Sequence, residues 1–338
     1  MPESRKLLDT GIENPGHNLK PLLVEIGEDS AIEIVPYHHL PGGTHKMVSV
    51  AGMFQRIPEG TEELLESTTG NAGYAAAYYA KQVEMPIKLF MPEGMAPPKI
   101  QMLEALGADI IETPRAEYTG GARKRAQEYY DAAQQKRWLF NQATNLGNWQ
   151  AHEEVAYHLS GIEHLVLIGG TCGIIAGLTR GIKKQSQNAI VTEIDLDVAP
   201  HFLNKKHGKP NKWGDHGIVG AAPSKMSDIG EKSFDLMDRS AVVSANESEL
   251  LFEEAVRCGL DAGKSSIVNL AVAARMAKKF RASIGTATCD HIDRYEGAKD
   301  IDTLEFSPNK LVKFFESEIV KFFKIHLEDL HDNVTYKI

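Results

Sequence analysis

The sequence predicts an α/β protein whose mostly parallel sheets are covered by helices on both faces. Two observations support this prediction. Short apolar or β-branched runs alternate along the chain with longer stretches of helical spacing, which is the pattern of β-α-β units. The 338 residues are 42% hydrophobic and 25% charged, a globular composition sufficient for two domains or one large α/β unit. Because ligands of such folds lie at the carboxyl ends of strands, the glycine-rich turns after strands are candidate binding sites.

The strands and helices can be placed in order along the chain. The predicted strands are short and rich in β-branched or apolar residues: 86–91, 108–113, 165–170 and 189–195. The predicted helices repeat apolar residues every three or four positions: 73–82, 98–106, 121–135, 149–159, 175–184, 247–258 and 265–280. Gly107 and Gly161 follow two of these helices, as expected where a helix ends in a left-handed residue.

The C-terminal segment carries a separate pattern. Between residues 307 and 331, apolar side chains recur at helical spacing among charges, which predicts one amphipathic helix. The members of this apolar face are Leu311, Phe314, Phe315, Ile319, Phe322 and Phe323. We expect this helix to dock on the body of the protein or on a second subunit.

Composition excludes several classes of function. The net charge of -9 leaves no basic surface for nucleic acid, and no apolar run approaches the roughly 20 residues needed to span a membrane. The first residues form no apolar signal region, and three cysteines (Cys172, Cys258 and Cys289) make no disulfide framework. We therefore expect a protein of the reducing cytoplasm.

Three glycine-containing turns stand where predicted helices begin, at residues 67–73, 169–173 and 263–266. Unpaired backbone N–H groups at a helix start attract phosphates and carboxylates, but such turns also serve simply to connect strands to helices. None of the three carries the signature of a P-loop ATPase or of a dinucleotide-binding turn. Each turn is therefore an anion site or a plain connection.

The histidine pair at residues 38–39 and the lysine at residue 46 each have a functional and a purely structural interpretation. The adjacent pair His38–His39 is either a metal ligand pair or two loop residues that face solvent, and since the histidines form no zinc motif, we expect no metal. Lys46 follows a Pro-Gly-Gly turn in a partly apolar setting. It is either a solvated surface amine or a desolvated nucleophile suited to a Schiff base with an aldehyde cofactor.

Taken in order, these segments resemble the fold-type II pyridoxal-phosphate enzymes of the tryptophan synthase β superfamily, in particular the cysteine synthase and cystathionine β-synthase family. The most specific segment is STTGNAGYAAAYYAKQVEMPIKLFMPEGMAPPKIQMLEALGADIIET, which is similar to the family's substrate-loop block. Further similar segments are FNQATNLGN, GTCGIIAG, AGKSSIVNLA and CDHIDRY. The resemblance spans nearly the whole chain and implies pyridoxal 5'-phosphate as cofactor and two three-layer α/β/α domains.

The resemblance also implies a role for each matching residue. Lys46 would form the Schiff base with the cofactor and shuttle the proton at the substrate α-carbon. The remaining implied contacts are Asn71 to the cofactor's phenolic oxygen, Thr68, Thr69, Gly70, Asn71 and Gln142 to the substrate α-carboxylate, and Gly170, Thr171, Cys172 and Gly173 to the cofactor phosphate. At the pyridine nitrogen the match falls on Asp290 or His291.

The chain departs from the family pattern at several of these positions. In the phosphate turn, Cys172 replaces a glycine, and Ile174 replaces a threonine whose hydroxyl donates to the phosphate. Loss of one such bond, worth about 1.5–3 kcal/mol, predicts tenfold to hundredfold weaker cofactor binding unless another donor substitutes. At the pyridine nitrogen the family has a serine. A carboxylate from Asp290 would instead keep that nitrogen protonated and the ring a stronger electron sink.

Three functions follow as hypotheses. The first is β-elimination or β-replacement on a serine-, O-activated serine- or cysteine-like amino acid through an aminoacrylate. The second is other pyridoxal-phosphate chemistry by a lyase, deaminase or racemase, favoured by Asp290 or His291. The third is a non-catalytic protein that keeps the fold and binds a ligand or partner.

The resemblance further implies a domain arrangement. We expect a small substrate-loop domain at residues 46–148, a large cofactor-binding domain at residues 1–45 with 149–305, and the amphipathic helix at residues 306–338. We also expect a homodimer that binds a small amino-acid substrate.

Overall fold

The computed structural model describes residues 6–218, 220–294, 304–332 and 334–338. In chain order its strands are β1 (Leu22–Gly27), β2 (Ser30–Pro36), β3 (Glu63–Ser67), β4 (Ile87–Pro92), β5 (Ala108–Thr113), β6 (Arg137–Leu139), β7 (His164–Ile168), β8 (Ile190–Leu196), β9 (Arg239–Val243), β10 (Ser283–Thr288), β11 (Ile325–Asp329) and β12 (Thr335–Lys337). Its α-helices are α1 (Lys46–Phe54), α2 (Asn71–Gln82), α3 (Pro97–Ala105), α4 (Tyr118–Asp131), α5 (Leu146–Val155), α6 (Gly173–Gln185), α7 (His201–Lys206), α8 (Asp228–Ser233), α9 (Ala245–Arg257), α10 (Lys264–Phe280), α11 (Pro308–Phe315) and α12 (Glu318–Phe322).

The elements predicted from local pattern are present. The seven predicted helices correspond to α2, α3, α4, α5, α6, α9 and α10, and the four predicted strands to β4, β5, β7 and β8. Gly107 (φ 89°) and Gly161 (φ 96°) both adopt the left-handed conformation expected after a helix. The strongest periodicities of the sequence were therefore sufficient to place these elements.

The smaller of two compact units comprises residues 6–15 and 46–151. Its four-stranded sheet has the order β5-β4-β3-β6, and every neighbouring pair is parallel. Leu89 and Phe90 are successive residues of β4 and therefore point to opposite faces. Leu89 lies beside Gly73 of α2, whereas Phe90 packs in a cluster with Ala122 and Ala126 of α4. Helices thus cover both faces, which confirms a three-layer α/β/α unit.

Residues 6–15 belong to this smaller unit, although the sequence analysis placed residues 1–45 together in the larger domain. The backbone N–H of Leu8 donates to the Ile57 carbonyl at 2.8 Å. The side-chain amide of Asn14 donates to the Ala151 carbonyl, also at 2.8 Å. These bonds join partners more than 45 residues apart, so no local pattern could have indicated them.

The larger unit comprises residues 16–45 and the described residues from 152 onward. Its eight-stranded sheet has the order β1-β2-β10-β7-β8-β9-β11-β12. The neighbours from β2 to β9 are parallel, while β1, β11 and β12 pair antiparallel at the edges. Ile284 of β10 packs in the main core beside α10, whereas its neighbour Gly285 faces Ile162 and Leu159 on the other side. This sheet is also covered on both faces.

The prediction of a single C-terminal amphipathic helix was wrong. Two short helices, α11 and α12, are followed by two strands, β11 and β12. The helical conformation is interrupted at Ser317 between α11 and α12. The Ser317 hydroxyl caps α12 by accepting the N–H of Val320 at 3.5 Å. Residues 325–329 then pair antiparallel with β9. The available sheet edge, rather than helical spacing, decides the conformation of these last residues.

Membrane insertion finds no support in the described residues, because none of their helices combines the length and apolar character required to cross a bilayer.

Candidate active site

Lys46 is the first residue of α1 in the smaller unit, and its side chain is half-buried. All the other residues of α1, Met47 to Phe54, are buried. Gly52 explains how this helix packs so closely, since a Cβ there would lie 2.3 Å from the carbonyl oxygen of Gly147. A fully packed helix therefore fixes the backbone from which the Lys46 amine extends.

The turn between β3 and α2 is organised by one hydroxyl. Thr68 is buried, and its Oγ1 accepts the backbone N–H groups of Gly70 and Gly73, each at 3.0 Å. A Cβ on Gly73 would lie 2.5 Å from the Thr68 methyl carbon. Thr68 thus shapes the turn, whereas Thr69 and Asn71 are half-buried on it at the start of a twelve-residue helix. The positive end of that helix suits a carboxylate.

Two side chains of this unit supply further polar groups. The Lys99 amine donates to the Thr69 carbonyl oxygen at 3.3 Å, which places a cation beside the turn. The side-chain oxygen of Gln142 is buried and has no hydrogen-bond partner among the described residues. Sequence reasoning missed Lys99, because a single lysine thirty residues beyond the turn carries no local signal.

Glu66 is a second residue that sequence reasoning missed. It is 1% exposed on β3, and its Oε1 accepts the Ser67 N–H at 2.8 Å. Burial raises the pKa of Glu66 to about 7, while the backbone N–H groups of Ser67 and Gln142 and the positive charge of Lys46 partly offset this rise. Glu66 therefore lies among three predicted site segments: Lys46, the turn and Gln142.

The turn at residues 169–173 joins β7 to α6 in the larger unit. A Cβ on Gly170 would lie 1.9 Å from the carbonyl oxygen of Gly220, so only glycine fits there. Cys172 adopts the left-handed conformation (φ 62°, ψ 13°) that glycine, its family counterpart, takes without strain. Ser227 holds the turn by donating to the Thr171 carbonyl at 2.9 Å. The first N–H groups of α6 are consequently presented by a fixed loop.

This turn fits a phosphate group, with one hydroxyl fewer than the family pattern. The backbone supplies donors at the positive end of a thirteen-residue helix, and Gly170 and Gly173 add no side chain that would obstruct a ligand. Ile174 is buried and apolar where the family has a threonine. Any additional hydroxyl donor within the turn must therefore come from Thr171.

Asp290 and His291 follow β10 and differ in their surroundings. Asp290 is 4% exposed, and its backbone carbonyl accepts the Gly263 N–H at 2.9 Å. The His291 ring instead lies between two carboxylates, with Nε2 at 3.6 Å from Asp261 Oδ2 and Nδ1 at 3.2 Å from Asp293 Oδ1. These contacts raise the pKa of His291 to about 9. Tyr295, at the end of the matching segment, lies outside the described residues.

The third glycine turn, at residues 263–266, contacts the segment that carries Asp290 and His291. The Ser266 hydroxyl accepts the Cys289 N–H at 2.7 Å, and Lys264 pairs with Glu249 at 2.6 Å. Of the two interpretations of this turn, the contacts of Ser266 and Lys264 within the protein favour the connection.

The expectation that His38 and His39 both face solvent was wrong for His38. His39 is exposed, but His38 is 2% exposed, and burial lowers its pKa to about 4. The carboxyl group of Asp261 lies next to the His38 ring. Burial alone would raise the pKa of Asp261, but the ring nitrogens of His291 and His38 hold it well below its usual range.

Comparison with known proteins agrees with the family resemblance and the fold. The model of a family described as "Pyridoxal-phosphate dependent enzyme" matches residues 35–290. Among curated relatives, the cysteine synthase of Buchnera aphidicola subsp. Acyrthosiphon pisum is 30% identical over 233 residues, covering 64% of this chain and 72% of that protein. Cystathionine beta-synthase of Dictyostelium discoideum is 30% identical over 255 residues, covering 70% of this chain but 49% of the relative.

Solved structures share the architecture over most of the chain. O-acetyl serine sulfhydrylase isoform 3 from Entamoeba histolytica superposes with a TM-score of 0.75 at 20% identity, covering 93% of this chain and 98% of that one. The O-acetylserine dependent cystathionine beta-synthase from Helicobacter pylori gives a TM-score of 0.72 at 23% identity, with 86% and 98% covered. The family match over residues 35–290 establishes that the chain belongs to the pyridoxal-phosphate dependent enzymes, and the superpositions show that it has the fold of their type II members.

Proposed function

We propose that this protein catalyses β-elimination or β-replacement on a serine-, O-activated serine- or cysteine-like amino acid. The single observation that carries the proposal is the turn before α2, where the buried Thr68 hydroxyl fixes the backbone at the positive end of a twelve-residue helix, a position that suits an α-carboxylate. The similarity to cysteine synthases supports the same class of substrate. Pyridoxal phosphate, when bound, withdraws electrons from the substrate α-carbon, which makes its proton removable and allows a β-substituent to leave.

The residues of the chain have distinct tasks in this proposal. Lys46 Nζ takes and returns the proton at the substrate α-carbon. The turn at residues 68–71 and Gln142 hold the α-carboxylate, with Lys99 as a nearby cation. Asn71 and the turn at residues 170–173 hold the cofactor. Their orientation is supported by buried hydroxyls rather than by mobile side chains, since Thr68 and Ser227 each fix one turn.

We assign the contact with the pyridine nitrogen to Asp290 rather than His291. The basis is that both His291 ring nitrogens already face carboxylates, whereas Asp290 is buried directly before it. A carboxylate at that nitrogen favours deeper electron withdrawal than the family's serine and gives lyase, deaminase or racemase chemistry as the second candidate.

The test begins with the purified protein and its Lys46→Ala variant. We expect visible absorbance from bound cofactor in the wild-type protein and its loss in the variant. Incubation with O-acetylserine and sulfide should then yield a thiol amino acid. Pyruvate, ammonia or inverted substrate without a new thiol would favour the second candidate. Absence of any cofactor band, even with added pyridoxal phosphate, would contradict both and favour a binding protein.

We further propose a cytoplasmic homodimer. The three cysteines are buried and form no disulfide in the described part of the chain, which suits a reducing compartment. Light scattering during size-exclusion chromatography should give twice the 37.2 kDa chain mass. A monomeric mass would contradict the dimer without affecting the chemistry.

A further inference from the structure

Three side chains that could bind a metal ion converge in the larger unit. His38 and His39 lie on the short 3-10 turn after β2, and Asp261 lies between α9 and α10. One nitrogen or oxygen from each lies within 4.8 Å of the others. More than 220 residues separate the histidines from the aspartate in sequence. Only the folded chain brings this donor set together.

Two atoms in this cluster lack a hydrogen bond although they are buried. His38 Nε2 and Asp261 Oδ1 face each other at 3.4 Å, within ion-pair distance, but neither makes a well-aligned hydrogen bond among the described residues. The other ring nitrogen of His38 is anchored, because Nδ1 lies 2.6 Å from the Thr288 hydroxyl. A buried polar atom without a partner costs about 1–3 kcal/mol. A cation between these two atoms would satisfy both.

The surroundings resemble the outer shell of a metal site. The Thr288 hydroxyl orients the His38 ring, and His291 lies against the second oxygen of Asp261. Such supporting contacts commonly orient metal ligands. Phe306 packs its ring against His38 and His39, with centroid distances of 4.4 and 5.9 Å, while the exposed side of His39 leaves a route from solvent.

We propose that His38, His39 and Asp261 bind a divalent first-row transition cation, with Zn²⁺ as the probe. Two imidazole nitrogens and one carboxylate oxygen suit zinc, with water as the fourth ligand on the exposed side. Calcium and magnesium require mostly oxygen ligands and are disfavoured by this donor set.

The site also has a structural connection to the segment that carries Asp290. The Asp261 carbonyl oxygen accepts the Ile292 N–H at 2.8 Å, and the His291 N–H donates to the Gly43 carbonyl at 2.9 Å. A bound cation would therefore tie the turn at residues 37–39 to the backbone near residues 290–292. We expect zinc to stabilise the folded protein through this link.

The test uses the cofactor-loaded protein after chelator treatment and removal of free cofactor. Equilibrium dialysis against Zn²⁺ with elemental analysis should give one tightly bound ion per chain. His39→Ala and Asp261→Asn should each weaken that binding by at least about a hundredfold, the upper end of the effect of losing only a supporting group. His39 is exposed, so its variant should fold normally. X-ray absorption should show nitrogen and oxygen ligands at about 2.0–2.2 Å.

His17→Gln is the matched control, because His17 also pairs with a carboxylate, Glu154, at 3.2 Å but lies half-exposed on the surface. This variant should bind zinc like the wild-type protein, and zinc should raise the melting temperature of both. No tightly bound zinc, equal binding by His39→Ala, or sulfur ligation in the absorption spectrum would each overturn the proposal. None of these outcomes depends on whether the protein catalyses β-replacement.

Discussion

Glu66 is a buried carboxyl group whose ionisation opposes folding. Its pKa rises from an ordinary 4.5 to about 7 because the side chain is removed from water. Between these two pH values the unfolded chain releases the proton while the folded chain keeps it, so the free energy of unfolding decreases as pH rises. Below pH 4.5 both states are protonated and there is no penalty.

Glu66→Gln should therefore stabilise the protein above pH 7, by up to about 3 kcal/mol, and by little below pH 4.5. The measurement is chemical denaturation across this pH range. Glu62→Gln is the control, because Glu62 makes an exposed ion pair with Lys136. A Glu66→Gln stability difference that does not change between the two pH limits would contradict the raised pKa.

Lys99 belongs to substrate binding if the turn at residues 68–71 receives the α-carboxylate. Lys99→Gln should raise KM for the amino-acid substrate about tenfold, since one charge-assisted interaction is worth about 1.5 kcal/mol or more, and should change kcat less. Steady-state kinetics provides the measurement. Lys81→Gln is the matched control, because Lys81 also donates to a backbone carbonyl, that of Ala105, at 3.3 Å. Equal kinetic effects in both variants would exclude this role for Lys99.

Helix α1 depends on a close backbone contact at Gly52. A Cβ on Gly52 would meet the Gly147 carbonyl oxygen at 2.3 Å and the Ala151 methyl at 2.6 Å. Since neither neighbour is the flexible end of a long side chain, α1 would have to move. The amine of Lys46 extends from the first residue of this helix and would be displaced with it.

Gly52→Ala should lower the free energy of unfolding by about 1–3 kcal/mol and reduce the absorbance of bound cofactor. Gly120→Ala is the matched control, because Gly120 lies in α4 with no atom within 4 Å of the added Cβ. That control should stabilise by about 0.5–1 kcal/mol, as alanine does in helices. Denaturation of both variants, alongside their spectra, checks this prediction. Unchanged stability in Gly52→Ala would show that α1 tolerates the shift.

The C-terminal segment is part of the core of the larger unit rather than an added tail. Leu311, Phe314 and Phe315 of α11 are at most 1% exposed, and Leu327 of β11 is fully buried. Burying each such side chain contributes about 1.5–3 kcal/mol, so together they approach the whole stability of a typical domain. The backbone of β11 also completes the ladder with β9.

Deletion of residues 307–338 should therefore abolish cooperative unfolding of the larger unit. Deletion of residues 334–338 removes the terminal strand β12, whose neighbour in the described sheet is β11, and should lower the melting temperature by a few degrees. Circular dichroism with thermal melting compares the two. A 307–338 deletion that melts like the full chain would show that this segment is dispensable.

Local sequence pattern was sufficient to predict those helices and strands whose own residues carry the pattern. Helices α2 and α10 have helical spacing, strands β4 and β8 are short runs of apolar or β-branched residues, and Gly107 follows α3 as its position predicts. The C-terminal strands could not be predicted in this way. The helical spacing of residues 307–323 dominates this segment, β11 itself offers only two alternating apolar residues, Ile325 and Leu327, and pairing with the edge of β9 selects a strand there.

The sequence alone determined seven of the helices, four of the strands, the family, its cofactor and the segments that carry the candidate residues, because each depends on neighbouring residues. Tertiary structure alone decided the burial, the contacts and the pKa values of those residues. Burial raised the pKa of Glu66 and lowered that of His38. Folding placed Lys99 beside the Thr69 carbonyl and Asp261 beside His38. Desolvation and charge depend on distances between residues far apart in the chain, which only the folded backbone sets.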